Sequence, residues 1–169
     1  LAARAEKNDD RFTDRFARYS DASKVYMLVE AVKKMEIDAV RAMLPMVSDV
    51  NAADSSGSIA LVEAAGSPWS RDDHGVPARI EMLKLLLAHR AGVNARDGRG
   101  ATALARASER GHIEIVKFLL DRKADVNLAD RNGFTPFRWA VVNRNSELLD
   151  LLSARGANVD APDERGSAP

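Results

Sequence analysis

Few residues in this sequence have the chemistry that catalysis or metal binding requires. The three histidines are His74, His89 and His112, and only His74 stands next to carboxylates, in Asp72-Asp73-His74. An imidazole beside carboxylates can bind a metal ion or transfer protons. Adjacent loop residues of this kind are usually only solvated, and His89 ends a helical segment, where a cation suits the helix dipole. We therefore expect no metal site at these residues.

Other catalytic patterns are missing from the sequence. The chain has no cysteine, so it has no thiol nucleophile, no thiolate metal site and no disulfide framework. It also has no Gly-rich phosphate loop, no HExxH pattern and no nucleophile elbow. The sequence therefore predicts a protein without catalytic residues, bound cofactor or metal, and one that is not an enzyme.

The charge balance bears on the class of partner. Lys plus Arg number 25 and Asp plus Glu number 25, which gives a formal net charge of zero. A general nucleic-acid binder needs excess basic residues to neutralise phosphates, so we expect no nucleic acid. No apolar run approaches the roughly 20 residues that a membrane helix requires. We favour a cytoplasmic monomer, while a periplasmic or secreted location stays open because every compartment tolerates the absence of cysteine.

The elements that would position any site come from an internal repeat. The segment Asp125-Val126-Asn127 has counterparts at 49–51, 92–94 and 158–160, and each is followed three residues later by an aspartate. These four aspartates, 43, 33 and 33 residues apart, are Asp54, Asp97, Asp130 and Asp163. Counting 33 residues back from the first one reaches Asp21, where a more divergent copy starts. The chain is therefore an array of similar units.

Each copy carries the pattern of two short helices. In the third copy, Thr102–Glu109 is the first helix, 110–112 is the turn, and Ile113–Asp121 is the second helix. The second helix has apolar residues on one face at helical spacing, and small alanines mark the first helices, where neighbours approach closely. A helix of this length is marginal in isolation, whereas stacked copies bury a continuous core.

These segments resemble ankyrin repeats. The carrying motifs are 97–104, which is similar to the opening turn and first helix, and 111–116 and 124–127, which match the second helix and closing loop. The resemblance implies an all-α ankyrin-repeat solenoid of helix–turn–helix units with loop or β-hairpin fingers. It also implies that His112, before a second helix, is structural. We expect about four repeats plus an N-terminal capping helix, with the boundaries 1–20 for the cap, 21–53, 54–96, 97–129 and 130–162 for the repeats, and 163–169 for the stub of a fifth.

Three regions depart from the pattern. Gly156 ends one second helix, but the equivalent residues are Val47, Arg90 and Lys123, which would be strained in a left-handed conformation. The second repeat has a 10-residue insertion between its helices, within 66–79. This insertion contains Trp69, which either anchors a partner or folds back over the base of the insertion.

The chain ends are the third region. The segment 163–169 resembles the opening of a fifth repeat, and either the natural chain continues or this stub closes the array. Phe12, Phe16 and Tyr19 recur at helical spacing among charged residues, which predicts an amphipathic helix. This helix either caps the first repeat or docks a partner.

The resemblance also implies where a partner would lie, because ankyrin arrays generally bind proteins through a concave surface of fingers and first helices. One row of equivalent positions there is Glu30, Glu63, Arg106 and Trp139. Arginine and aromatic residues are favoured at interface centres. The predicted partner-binding residues are Arg99, Arg106, Arg131, Phe134, Arg138, Trp139 and Trp69. The alternatives are that Phe134 and Trp139 are buried against neighbours or a further repeat, and that the finger arginines are only solvated.

The leading functional hypothesis is a non-catalytic protein–protein interaction module. A sharper version is an inhibitor of the bacterial immunity or self-protection type, which binds one enzyme and silences it. The arginine and alanine content hints at a GC-rich, bacterial genome, where such roles occur. A third hypothesis is a structural spacer within a larger protein, which predicts no specific partner and tolerance of finger substitutions.

Overall fold

The computed structural model describes residues 13–66 and 75–160, and within these ranges all regular secondary structure is helical. The predicted all-α class is therefore confirmed for this part of the chain. A short helix, α1, covers 13–17. The others are α2 (Asp21–Lys33), α3 (Ile37–Met43) with a 3-10 turn (Leu44–Met46), α4 (Ala60–Gly66), α5 (Val76–Ala88), α6 (Ala103–Arg110), α7 (Ile113–Asp121), α8 (Pro136–Val142) and α9 (Ser146–Ala154).

The helices α2, α6, α8 and α9 each begin at a side chain that caps the helix. Thr102 Oγ1 accepts a hydrogen bond from the Ala105 N–H at 3.2 Å, and Thr135 Oγ1 accepts one from the Arg138 N–H at 3.2 Å. Such caps satisfy one of the backbone N–H groups that a helix start leaves unpaired. The first helix of the third repeat therefore starts at Ala103, one residue later than predicted, whereas its second helix has the predicted bounds.

The helices pair within each repeat, and the repeats stack through equivalent helices. The first helices α2, α4, α6 and α8 contact one another in series, and so do the second helices α5, α7 and α9. Ala64, Ala107 and Ala140 have no exposed surface on the first helices, where small side chains let neighbours approach closely. Leu86 and Leu119, on second helices, are equally buried and complete one continuous core.

Residues at three second-helix ends take the left-handed conformation. The backbone φ is 69° at Arg90, 65° at Lys123 and 84° at Gly156, as the resemblance suggested. Val47 does not follow, because its φ is −91° with ψ 122°. The reason is Pro45, which cannot continue the α-helical hydrogen bonds and lies in the 3-10 turn from which Val47 leaves extended.

The turns between the two helices of a repeat hold strain that the sequence did not predict. Gly111 has a φ of 71°, which glycine adopts freely. Its equivalents Met35 and Arg144 have φ values of 58° and 52°. The left-handed conformation is therefore set by the turn geometry even where the residue is not glycine.

The N-terminal segment packs on the first repeat. Phe16 has no exposed surface and belongs to the core, and Tyr19 is half-buried against it. The role of this segment as a capping helix stays a prediction, and Phe12, the remaining residue of the predicted stripe, lies outside the described residues. Trp69, the Asp72-Asp73-His74 segment and the stub at 163–169 also lie outside them.

The fingers are turns, since the described residues contain no strand. We call residues 54–58, 97–101 and 130–134 the second, third and fourth fingers. Each opens with an aspartate whose Oδ1 accepts two backbone N–H groups, as Asp97 does from Arg99 at 2.8 Å and from Ala101 at 2.9 Å. Adjacent fingers touch, because the Gly98 N–H donates to the Gly57 carbonyl at 2.6 Å. A Cβ at Gly98 would lie 3.0 Å from the Gly57 Cα, so this approach requires glycine.

The recurrent asparagine of the repeat motif links consecutive repeats. Asn51 Oδ1 accepts from the Gly92 N–H at 2.6 Å, and its Nδ2 donates to the Arg90 carbonyl at 3.2 Å. Asn127 makes the same two bonds between the third and fourth repeats, to the Asn158 N–H at 2.7 Å and the Gly156 carbonyl at 3.2 Å. The asparagine is thus explained by backbone satisfaction between repeats rather than by a ligand.

Candidate protein-binding surface

The first helices and fingers present one residue per repeat at an equivalent place, which we call the ladder position. It is the ninth residue after the finger aspartate, namely Glu63, Arg106 and Trp139 in the second, third and fourth repeats. The fourth residue after the same aspartate ends the finger and is Ser58, Ala101 or Phe134. The ladder therefore runs from acidic through basic to aromatic, as the sequence predicted.

In the third repeat the ladder arginine is bound within the chain. Arg106 Nη2 donates to Asp97 Oδ2 at 2.9 Å, and Nη1 donates to Glu109 Oε2 at 2.6 Å. Only 15% of its side chain is exposed. Burial alone would lower the pKa of Arg106, but the hydrogen bonds and charges of Glu109 and Asp97 outweigh it and raise the pKa. Arg106 thus holds the third finger onto α6, whatever it contributes to a partner.

The stem of Arg106 crosses the end of α4 in the preceding repeat. A Cβ built at Gly66 would lie 1.8 Å from Arg106 Cγ and 2.6 Å from Cδ. These distances are far below van der Waals contact, so the arginine has room only because residue 66 has no side chain. Sequence reasoning could not find this pair, since the two residues meet only through the stacking of repeats.

In the second repeat the ladder position holds the carboxylate of Glu63 instead of an arginine, so the finger aspartate Asp54 has no partner at that position. Asp54 is buried, and its Oδ2 has no hydrogen-bond partner among the described residues. Its nearest cation is Lys33, with Nζ 4.0 Å from Oδ2, and Lys33 also binds Glu30 at 3.0 Å. Burial raises the pKa of Asp54, but hydrogen bonds from Ser56 and Ser58 outweigh it and lower the pKa below its usual value.

In the fourth repeat the ladder residue stacks on its own finger. The rings of Phe134 and Trp139 lie 4.7 Å apart with a tilt of 36°. The Arg138 guanidinium sits 5.2 Å from the Phe134 ring centre, a cation–π distance. All three side chains are half-buried, so they support one another and still expose surface.

The tips of the third and fourth fingers carry exposed arginines. Arg99 and Arg131 are joined through the backbone, because the Arg131 N–H donates to the Arg99 carbonyl at 3.0 Å. The exposed Arg96 reaches across to the next finger, where its Nη2 donates to the Ala129 carbonyl at 2.7 Å. The structure therefore brings Arg99 and Arg131 together, as well as the trio of Phe134, Arg138 and Trp139.

A family model described as ankyrin repeats (3 copies) matches residues 76–163, more than half of the 169-residue chain. The chain belongs to the ankyrin repeat family. Ankyrin repeats generally act as protein–protein interaction modules and are typically non-catalytic. A comparison with curated proteins gives no match for this chain.

The concave face of this ankyrin repeat array has a shallow polar depression of about 280 Å³ between the second and third fingers. Ladder, fingertip and helix-end side chains line it, namely Ser56, Ser58, Glu63, Arg99, Arg106 and Arg110, with glycines at its floor. Its walls carry both charges. The depression can therefore receive polar groups of a partner.

The histidine of the third ankyrin repeat is structural in its contacts. His112 Nε2 lies 3.3 Å from Arg79 Nη1, and since an arginine only donates, the imidazole accepts with an unprotonated nitrogen. Burial, followed by the charges of Arg79 and Arg110, lowers the pKa of His112. His89 is engaged by its own helix, with Nδ1 2.9 Å from the Leu85 carbonyl oxygen.

Within the ranges 13–66 and 75–160, no group of three or more histidines, aspartates and glutamates could hold a metal ion. Within the same ranges, no helix is long and apolar enough to cross a membrane.

Proposed function

We propose that this chain is a non-catalytic module that binds a partner protein across its concave face, from the second finger to α8. The observation that carries the proposal is a contrast between equivalent positions. The core residues Ala64, Ala107 and Ala140 are the same in three repeats and fully buried. The ladder position on the adjacent outer surface differs among these same three repeats, which carry Glu63, Arg106 and Trp139. Equivalent core residues let the repeats stack in the same way, and different surface residues give the array a surface that is specific for one partner.

The residues proposed to touch the partner form two clusters. One is the fingertip arginine pair, Arg99 and Arg131, and the other is the aromatic cluster of Phe134, Arg138 and Trp139. Arginine and tryptophan are enriched among interface residues that dominate binding energy. Arg106 belongs to the surface through its 15% exposed side chain, but its main bonds are to Asp97 and Glu109.

The test is affinity capture from a lysate of the source organism with three versions of the chain. The first is unchanged, and the second carries Arg99→Ala, Arg131→Ala and Trp139→Ala. The third is a matched control on the second helices, Arg41→Ala, Arg155→Ala and Phe118→Ala, which also removes two arginines and one partly buried aromatic ring. Circular dichroism establishes that all three are folded before capture.

We expect one stoichiometric partner that the unchanged and control chains capture and the concave-face variant loses. Equal capture by all three would place the interface elsewhere and refute the concave face. Failure of every version to capture a partner would refute the binding module and favour the structural spacer. An activity assay on a captured partner then separates an inhibitor, which abolishes the activity, from an adaptor, which does not.

A further inference from the structure

The positive charges of Arg99 and Arg131 at the two fingertips indicate the chemistry of the partner. Resting on the proposed function, we infer that the partner presents an acidic segment whose carboxylates bind the fingertip arginine pair, Arg99 and Arg131. A guanidinium offers two parallel N–H donors that match a carboxylate, and neighbouring guanidiniums can hold successive acidic residues.

The geometry fixes where these two arginines stand. Their backbones are joined by the 3.0 Å hydrogen bond from the Arg131 N–H to the Arg99 carbonyl. The Arg131 stem crosses Gly100, where an added Cβ would lie 3.0 Å from Arg131 Cγ. Each finger is also closed by its own aspartate. The two side chains therefore leave from a rigid base, which lowers the entropy cost of binding.

The acids of these fingers do not neutralise the pair. Both oxygens of Asp97 are engaged, Oδ1 by the finger backbone and Oδ2 by Arg106. Asp130 Oδ1 accepts the backbone N–H groups of its own finger at 2.9 and 3.0 Å. Among the described residues, no carboxylate lies within ion-pair distance of the Arg99 or Arg131 guanidinium. The positive charge is thus offered outward.

Among the fingers that the structure describes, only the third and fourth carry this charge. In the second finger the residues equivalent to Arg131 and Arg99 are Ser55 and Ser56. The exposed Arg96 adds a third cation beside the pair, whereas its equivalent one repeat earlier is Ala53. A basic patch limited to one end of the concave face fits a short segment rather than a long polyanion.

Two observations favour protein carboxylates over a nucleic-acid backbone. Glu63 lines the depression beside the third finger and would repel a phosphate backbone that ran along the concave face. The half-buried Phe134–Trp139 stack lies in the fourth repeat and offers an apolar contact beside the arginines. The fitting ligand is therefore an acidic segment that also carries an apolar or aromatic side chain.

The experiment selects binders from a random displayed peptide library on the full chain. The same selection is run on an Arg99→Glu, Arg131→Glu variant and on a control with equal charge change, Arg41→Glu, Arg155→Glu. Selected peptides are then labelled, and their affinities are measured by fluorescence anisotropy over a range of salt concentrations. Short fluorescent DNA and RNA strands are measured in parallel.

We expect peptides rich in Asp and Glu that bind the charge-reversed variant about tenfold or more weakly, bind the control equally, and weaken with salt. Selected peptides without excess acid that still require Trp139 would overturn the acidic segment and leave the binding module intact. No peptide that depends on the concave face would refute both. Strands that bind while acidic peptides do not, and that lose binding on charge reversal, would replace the acidic segment by a nucleic acid.

Discussion

The contact of Arg106 with Gly66 predicts that a single methyl group at residue 66 breaks the Arg106–Asp97 ion pair that holds the third finger onto α6. In Gly66→Ala the new Cβ would overlap Arg106 Cγ at 1.8 Å and Cδ at 2.6 Å. These atoms belong to the root of the side chain, so a rotation at its far end cannot relieve the clash. Arg106 must leave its place, and Asp97 then loses its partner although its side chain is only 6% exposed.

The magnitude follows from the bonds that are lost. Hydrogen bonds to charged groups contribute about 1.5–3 kcal/mol each, and the Arg106–Asp97 bond is the more buried of the two. The bond to Glu109 counts less, since that carboxylate is 26% exposed and screened by solvent. Replacing a helical glycine by alanine returns about 0.5–1 kcal/mol. We therefore expect the free energy of unfolding to fall by about 2 kcal/mol.

The assay is urea unfolding followed by circular dichroism, in a cycle with Arg106→Ala. That background lacks the two closest atoms, Cγ and Cδ, and leaves the Cβ of residue 106 at 3.1 Å from the new methyl group, so Gly66→Ala should cost much less there. A loss of about 2 kcal/mol with Arg106 and a much smaller one without it would establish the contact. If Gly66→Ala costs the same in both backgrounds, the steric reasoning is refuted and the effect belongs to the α4 backbone.

Three further predictions concern stability. Lys123→Gly should raise the free energy of unfolding by about 1 kcal/mol, because the φ of 65° favours glycine; a lowered melting temperature would contradict this. Glu63→Arg should not raise stability, although an arginine there would be the equivalent of Arg106, because Lys33 of the first repeat is the equivalent of Gly66 and already lies 4.0 Å from Asp54; a gain of about 1 kcal/mol in urea unfolding would contradict the steric requirement for glycine. His112 has a folded pKa below its ordinary 6.5, so protons favour the unfolded chain; stability should be full above about pH 6.5 and fall as pH drops through the lowered pKa. His112→Gln should show a smaller fall between pH 7 and pH 5 in urea unfolding, and an unchanged fall would assign it to other groups.

The repeat and its core were predictable because burial leaves few residue types at each recurring place. Thr102, Ile113–Asp121 and the alanines of the first helices are fixed by capping, helical periodicity and close packing. The conformations of Met35 and Arg144 were missed because neither residue type signals a left-handed turn. Among the equivalent turn residues only Gly111 is of a type that favours a positive φ. An alignment of the turns would have extended that conformation to Met35 and Arg144.

The partners of the site residues were less predictable than their positions. Arg106 was chosen as an arginine on the concave face, yet Asp97, nine residues earlier, folds back to bind it. The recurring distance from finger aspartate to ladder residue was a usable signal, since the finger must cross the start of the first helix. No such signal links Arg106 to Gly66, because their contact depends on the register between two repeats.

The finger aspartates explain how the ladder can vary without loss of the fold. In every described finger the aspartate accepts the backbone N–H groups of the turn through Oδ1 and not through Oδ2, as Asp54, Asp97 and Asp130 do. The turn does not use Oδ2, whose partner can therefore vary, so the turn does not require a particular residue at the ladder position. Trp139→Ala should therefore weaken binding without opening its finger. A loss of binding in that variant would mean that Trp139 contacts the partner directly. Arg106→Ala removes the partner of Asp97 as well, so its effect on binding has meaning only after its stability has been measured.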